Sequence, residues 1–553
     1  MVSAQVVTQV PAQPLAPAAE TAPPAEDARL RGALRNSMSA KTLSNQTDFA
    51  IVLSTNAGTM PLSLDEAIRL GLEHNLQLQV ERYTPIISQY DYRGTYGYYD
   101  PKFISEVSRA TSTREGGGFN AVTGVQFPAT TSSRDAMTAG LGGFLPTGLN
   151  YDLGFNFGNQ KATTPFQIGT NSFGQPIFGQ RSTDTWDSRG IVTVSQPLLR
   201  NLWIDQPRLN IKKSRNNVRL SELDFETSLI TVITAIEKAY YELIAARETV
   251  TVQIAAVAVK QQFFDENSRR VQVGTLAPLD AQLAAADLAL VQSDLIQARN
   301  AAVTSEAVLK GLISDNFLAL LSTRLELTDQ LLAVPMNVDL PDVFRQTMEN
   351  RPELQRLRVE LQNQNLQLKY DFNQLFPQLD IFGTWGVNGL DPNLGGSLND
   401  LSHKRFPEDR YGLSISVPLS LQSERMAYRA SKAAKAQAIL RLKQKEEEVI
   451  QAAYDVARRV QTLWEIIPLT RQRTIYSKAA LEAEQKKVAA GKSTTYEVLR
   501  IASEQTRAQV NEILAVRDYN AALADLAFTE GTTLQRRNVD RPSPPGSAAV
   551  PSR

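Results

Sequence analysis

The sequence of 553 residues contains no cysteine and only two histidines, His74 and His403. Without cysteine there is no disulfide, no thiolate zinc site, no iron–sulfur cluster and no cysteine nucleophile. A lipid anchor on an N-terminal Cys is excluded on the same ground. Two histidines leave almost nothing from which to build a His-based metal cage or triad. Net charge is missing too: 58 basic side chains balance 58 acidic ones. That argues against a nucleic-acid partner, which calls for a net basic face or stripe. Long apolar runs are also lacking, and nothing approaches the ~18–20 residues that a membrane-spanning helix needs. Two classes survive: a soluble protein, or a transmembrane β-barrel, whose strands carry a far weaker signal. Acidic residues are scattered along helix faces as solvated charge, with no paired-carboxylate site. No enzyme, cofactor or metal is therefore expected.

What is present is unevenly distributed. Residues 1–59 and 534–553 are poor in large apolar residues and read as disordered tails. Met1 to Pro24 has neither the basic start nor the apolar core of a signal peptide, whereas Val2-Ser3-Ala4 before Gln5 resembles the end of a cleavage site. The expectation is a true start upstream and a chain close to its mature form. Roughly half of the 30 glycines fall between Gly94 and Gly190, and none between Asn201 and Val273 or between Leu421 and Ala490. Each gap is on the order of 70 residues, or about 100 Å as helix. Phe225, Leu229, Val232, Ile236, Tyr240 and Leu243 step by three or four, as do Ile450, Tyr454, Ala457, Val460, Trp464 and Ile467. Two long helices with bundle-core stripes follow, the second kinked at Pro468.

The glycine-rich part has the other period. Leu149, Tyr151, Leu153, Phe155 and Phe157 alternate with Asn150, Asp152, Gly154 and Asn156. Tyr411, Leu413, Ile415, Val417 and Leu419 do the same, and Leu379, Ile381, Trp385 and Val387 fall on every second position. A barrel wall between lipid and water reads this way, and so does a soluble β-sandwich.

Self-comparison reveals a repeat. Leu64-Asp65-Glu66-Ala67 matches Leu340-Pro341-Asp342-Val343 at an offset of 276, which also carries Pro101 onto Pro377. Ser195-Gln196-Pro197-Leu198 matches Ser416-Val417-Pro418-Leu419 at 221, and Arg269–Gly274 matches Lys486–Gly491 at 217. Each half reads helix, strands, long helix, glycine turn, returning helix. The first half spans 60–335, with strands over 95–198 and a tip at 274. The second spans 336–533, with strands over 378–420 and a tip at 491. The offsets leave 276 − 221 = 55 extra residues in the first strand region, around Leu141–Phe157 with a turn at Pro146-Thr147-Gly148. Neither half has strand enough to close a barrel, and open strand edges cannot stay unpaired in lipid. Several copies must pool their strands into a tube.

With Leu64-Asp65-Glu66-Ala67, Ser195-Gln196-Pro197-Leu198-Leu199, Val273-Gly274-Thr275 with Asp280, and Gly491 with Glu497-Val498-Leu499 in this order, the chain resembles a TolC-type outer-membrane efflux protein over about residues 60–533. The resemblance implies an α+β membrane protein: a homotrimer whose β-barrel sits in outer-membrane lipid and continues into a periplasmic α-helical barrel. Two strands are expected from the first half, and its apparent additional hairpin either adds strands to the barrel or lies outside it. It implies the exit duct of a tripartite efflux or type I secretion system. The hairpin tips would close the periplasmic end and dock onto an adaptor protein fed by an inner-membrane efflux pump or ABC transporter. The tip residues are then Val273, Gly274, Thr275, Leu276, Ala490, Gly491 and Lys492, although Thr275 stands where the family usually has Leu. Family members narrow the entrance with acids six and nine residues past the second glycine; here these are Glu497 and Arg500, with Asp280 the first-repeat counterpart. A mixed-charge constriction is expected. The alternative is a non-transporting envelope scaffold of helical hairpins.

Several local signals remain. Tyr83, Tyr90, Tyr92, Tyr96, Tyr98 and Tyr99 form either an interfacial girdle or packing where sheet and helices meet. Gly116-Gly117-Gly118 reads as a loop. Ala490-Gly491-Lys492-Ser493-Thr494 imitates a phosphate-binding loop but lacks the earlier glycine, Lys486 standing there, and the preceding strand. His74 is placed near a helix end and His403 in a loop.

Overall fold

The computed structural model describes residues 58–114, 129–172, 174 and 176–539. The elements run β1 (Thr59–Leu62), α1 (Leu64–His74), α2 (Leu76–Glu81), α3 (Tyr83–Gly94), a 3-10 turn (Thr95–Tyr99), β2 (Lys102–Arg114), β3 (Thr130–Phe144), β4 (Asn150–Thr170), β5 (Pro176–Pro197), α4 (Gln206–Gln272) and α5 (Pro278–Ile313). There follow α6 (Phe317–Leu320), β6 (Arg324–Leu327), α7 (Leu340–Asn350), α8 (Pro352–Asn373), β7 (Gln378–Asp391), α9 (Leu394–Ser402), β8 (Phe406–Ser416), α10 (Gln422–Ala489), α11 (Thr495–Glu530) and α12 (Thr533–Arg536). The smaller of two units comprises residues 1–61 and 316–326; its described part holds α6 and nearly all of a β1–β6 strand pair. The rest belongs to the larger unit.

Within that unit the repeat is plain in element length. α1 and α7 have 11 residues each, α4 and α10 have 67 and 68, and α5 and α11 have 36 each. At 1.5 Å per residue α4 and α10 are each about 100 Å long. Such helices form because glycine is absent and apolar residues return every three or four positions. α4 packs between α5 and α11 toward the tips and between α3 and α8 toward the sheet, while α10 packs on α11 and α8. Four helices thus lie in a row at either level, ending in α5 or α3 on one side and in α10 on the other.

The stripe expected on α4 is buried at Leu229, Val232, Ile236, Tyr240 and Leu243. On α10 the expected Ala457, Val460 and Ile467 are buried, joined by Val449 and Ala453 in place of Ile450 and Tyr454, with Tyr454 and Trp464 exposed beside the row. Small alanines occupy the seam where α11 closes in, and Trp464 reaches around it to Tyr519, centroids 5.4 Å apart. Size at the seam, rather than hydrophobicity alone, chose the register. Pro468 lies inside α10 without ending it.

The other layer is a single antiparallel sheet in the order β2-β3-β4-β5-β7-β8. The surplus segment of the first half is therefore part of the sheet: four strands come from the first half and two from the second. Alternation gives the sheet two unlike faces. One cross-strand row reads Phe103, Leu141, Leu153, Val192, Trp385; Val107, Met137, Phe155, Ile381, Leu413 and Ile415 share that face. The other carries Glu106, Thr138, Asp152, Asn156, Arg189, Thr384, Asn388, Glu408 and Arg410. There the Arg189 guanidinium donates to Glu408 at 2.8 Å, and Arg134 donates to Asp187 at 3.2 Å. Ile104, Ile191 and Phe382 interrupt the polar face. Charge enters the apolar face at Asp409, opposite Trp385, and at its far end as the pairs Arg109–Asp135 and Lys161–Asp184, each 3.3 Å. There α9 also lies across β5 and β7, with Leu401 over Gly190 and Ser188 donating to the Ser397 carbonyl.

Three expectations are corrected. β8 ends at Ser416, before Val417 and Leu419. His403 caps α9, a helix not anticipated, instead of lying in a plain loop. A disordered tail from 534 is not what residues 534–539 form: Leu534 is buried in α12, and the Arg537 guanidinium donates to Glu237 at 2.5 Å. An arginine that finds a buried carboxylate is held even without apolar neighbours. Residues 1–57, Gly116-Gly117-Gly118 and 540–553 lie outside the described residues.

Candidate functional site

Both hairpin tips are built on one backbone pattern. Gly274 and Gly491 have φ of 73° and 67°, the left-handed region that glycine enters without a Cβ penalty. In the first tip Thr275 N–H donates to the Arg270 carbonyl at 2.9 Å and Gly274 N–H to Val271 at 3.0 Å. In the second, Lys492 N–H donates to Lys487 and Gly491 N–H to Val488 at the same two distances. These crossed bonds close a helix end and satisfy its last carbonyls. Val273, Thr275, Ala490 and Lys492 are exposed around the glycines, and Leu276 is half-buried.

Side-chain chemistry separates the tips. In the second, Thr494 caps α11 by accepting from the Glu497 N–H at 3.4 Å. Arg500 donates to Glu497 at 3.1 Å and to Glu504 at 2.6 Å. Glu484 accepts from Ser493 and from Lys487, the latter at 2.9 Å. The Arg500 hydrogen bond holds the Glu497 carboxyl below the usual glutamate range. Ser493, followed by Lys487, does the same for Glu484. In the first tip α5 starts at Pro278 with Ala277 at the cap position and no side-chain cap bond. Asp280 has no comparable partner among the described residues. Of the three residues expected at a constriction, the structure joins Glu497 to Arg500 and leaves Asp280 apart.

Above the tips the hairpins are joined by a residue the sequence reading missed. Lys260 of α4 is 2 % exposed. Its ammonium is paired with Asp287 of α5 and donates to the Leu499 carbonyl at 2.6 Å and to Ser503 at 2.9 Å, both on α11. Burial pulls the ammonium below the usual lysine range, and the Asp287 contact opposes that. Leu481, Val498 and Ala502, with Phe263 against them, pack nearby. The available signal was a lone charge directly after Ile254-Ala255-Ala256-Val257-Ala258-Val259.

At the other end of the helices the strand-ending Ser195–Leu199 segment leads into a polar belt that joins the two halves. Arg200 donates to Gln374 at 2.6 Å, the Asn201 N–H to Asn373 at 2.7 Å, and Gln374 to Asn201 at 2.8 Å. Beside it a cavity of about 340 Å³ is lined by Tyr98, Tyr99, Phe144, Asp205, Tyr370 and Asp380 among others. Tyr98 stacks on Phe144 with centroids 4.9 Å apart. Tyr98 and Tyr99 thus line the place where sheet and helices meet, although Tyr98 is as exposed as Tyr83 and Tyr90 on α3. His74 ends α1 and stands 3.8 Å from Asp315. Among the described residues there is no cluster of His, Asp and Glu able to hold a metal.

Known structures share this arrangement. The Campylobacter jejuni CmeC outer membrane channel superposes with a TM-score of 0.60 at 15 % identity, over 85 % of this chain and 86 % of that one. The open state of the Neisseria gonorrhoeae MtrE outer membrane channel gives 0.57 at 14 % identity, over 85 % and 89 %. VceC from Vibrio cholerae, an outer membrane protein, gives 0.57 at 14 %, over 85 % and 96 %. At such identities the likeness is one of fold. No curated protein matches the sequence. The family model described as "Outer membrane efflux protein" matches residues 149–314 and 343–532, well over half of the chain. With two-faced strands at one end and paired glycine-tipped hairpins at the other, this chain belongs to the outer membrane efflux protein family, a family of outer-membrane channels that reach into the periplasm.

Proposed function

We propose that the chain is the exit duct of a tripartite export assembly, a homotrimer that conducts small molecules or proteins passively out of the periplasm. The observation that carries this reading is the six-stranded sheet with one apolar and one polar face, continuous in sequence with two helical hairpins whose longer arms are about 100 Å. An apolar outer face suits lipid, and a polar inner face with Arg189, Glu408 and Arg410 suits a water-filled bore. An envelope scaffold would leave that broad apolar face without a purpose.

The tips are the docking surface for a periplasmic adaptor fed by an inner-membrane efflux pump or ABC transporter. Val273, Thr275 and Leu276 and the equivalent Ala490 and Lys492 flank Gly274 and Gly491 there. At the entrance, Glu497 paired with Arg500 makes the constriction one of mixed charge, with Asp280 a second acid. Neutralised by its partner, Glu497 contributes a weaker cation-attracting field than a bare ring of carboxylates. Adaptor binding loosens the tips, and the energy for transport comes from the inner-membrane partner.

Reconstitution into planar bilayers tests the proposal. The expected result is discrete conductance from a detergent-purified oligomer, with cation preference increased by Arg500→Ala and decreased by Glu497→Ala. A chain that purifies as a monomer without detergent and conducts nothing would sink the duct reading. Unchanged selectivity in Glu497→Ala would remove that residue from the constriction.

A further inference from the structure

The two edges of the sheet are β2 and β8, and both are exposed along their length. In lipid an open edge is untenable, because each unpaired backbone group there costs several kcal/mol. Successive strands are antiparallel, so the first and sixth run in opposite directions. β8 of one copy therefore meets β2 of the next in the same antiparallel sense as every internal pair. The helix row ends on matching sides. α3 leads into β2, and α10 follows β8. α5 and α10 expose large apolar side chains along those sides, among them Leu290, Ile296 and Val303, and Leu440, Leu469 and Ile475. Unlike edges that fit head to tail close into a ring.

We propose that β8 pairs with β2 of a second copy of this chain, and that the membrane wall built in this way has eighteen strands, six from each of three copies. This rests on the trimeric duct reading and goes beyond it in counting the strands. Two strands from each half would make a twelve-stranded wall, and the difference lies in whether the additional hairpin stands in the wall or outside it. The apolar row decides for the wall. It crosses five strands unbroken from Phe103 through Leu141 and Leu153 to Val192 and Trp385. On β8 it meets Asp409, with Tyr411, Leu413 and Ile415 continuing the apolar face beside it. On the additional hairpin itself charge appears only farther along each strand. A hairpin lying outside the wall would have no reason to continue the lipid face in register with its neighbours.

Dimensions agree. At ~4.8 Å between strands and a tilt of ~40°, eighteen strands enclose a wall about 36 Å across, and twelve about 24 Å. Three copies of a four-helix row place twelve helices around the bore, and at ~8–10 Å between axes that ring is about 31–39 Å across. On these spacings the eighteen-stranded wall is nearer the width of the helical ring than the twelve-stranded one.

The natural absence of cysteine makes the test clean. Val107→Cys is combined in turn with Asp409→Cys, Tyr411→Cys or Leu413→Cys in the full chain, and the purified oligomer is oxidised. The expected result is a ladder of linked chains that ends at three. Separately, Leu153→Cys and Phe155→Cys are compared with Asp152→Cys and Asn156→Cys in proteoliposomes with a water-soluble maleimide. The first pair is expected to react on the order of tenfold or more slowly than the second, because lipid covers it. Equal labelling of all four sites alongside a three-chain ladder would put the hairpin outside the wall and overturn the count, leaving the duct reading intact. A ladder ending at two or four, or no ladder, overturns it as well. Conductance of the same preparation then tells whether the duct reading falls with it.

Discussion

The two hairpin tips share a backbone but not a means of support. Gly274 and Gly491 close the same crossed-bond turn. Around Gly491 the turn is surrounded by a cap and two groups of ion pairs, Glu484 with Lys487 and Arg500 with Glu497 and Glu504. Around Gly274 the local support is smaller, the Thr275 hydroxyl donating to the Arg270 carbonyl at 3.0 Å and Arg270 pairing with Glu266. The hairpin is also held from above by Lys260 reaching across to α11. Duplication preserved the turn, and afterwards each copy found its own way to stay closed. One tip is self-contained and the other leans on its neighbour.

The comparison can be broken most severely at Lys260. Asp287→Ala leaves a buried ammonium without its counter-charge, and breaking a buried pair in this way costs about 3–5 kcal/mol. The first hairpin is expected to exchange amide hydrogens much faster in this variant, the second less so, as hydrogen-exchange mass spectrometry would register. Equal loss in both would mean that the two tips stand or fall together. A smaller effect comes from the caps. Thr494→Ala removes an N-cap and should cost about 1 kcal/mol in the second hairpin, whereas Ala277→Ser supplies one and should stabilise the first by a similar amount. Thermal melts of the two variants should shift in opposite directions.

The smallest effect is one of pH. Glu484 and Glu497 titrate below the ordinary glutamate value in the folded chain. Their contribution is complete above that value, near 4.5, and is lost as the pH falls through the lowered folded ones. Glu497 is half-buried and partly screened by solvent, whereas Glu484 is buried. Acid below about pH 4 should therefore fray the second tip ahead of the first, visible as tip-specific hydrogen exchange. Fraying of the first tip alone would contradict the assignment of support.

Much of this architecture was legible in the sequence because it depends on period and punctuation. Glycine-free stretches announced α4 and α10, positive-φ glycines marked both tips, and alternation marked the strands. The fate of the 55-residue surplus was not legible, since pairing of β3 and β4 with their neighbours is a long-range contact that alternation alone does not encode. On α10 the expected stripe holds at Ala457, Val460 and Ile467, but Ala453 takes the place given to the larger Tyr454 because the seam accepts only a small side chain there. Lys260 went unnoticed because a lysine is ordinarily a surface residue, and only the arrangement of α4, α5 and α11 makes it an interior one. Arg537 escaped for the same reason: its partner Glu237 lies 300 residues away.

β4 and β5 are 21 and 22 residues long, against 11 to 15 for the other strands of the sheet. Past Thr163, where β3 stops pairing, they run on to their turn as a two-stranded ribbon, projecting on the order of 20 Å at the strand rise. In a cell this ribbon would be the part of the molecule that outsiders meet first. Antibodies, bacteriophages and surface polysaccharide would all encounter it before the pore. It also offers a place where a short peptide tag could be inserted and read on intact cells, with the transport path left untouched.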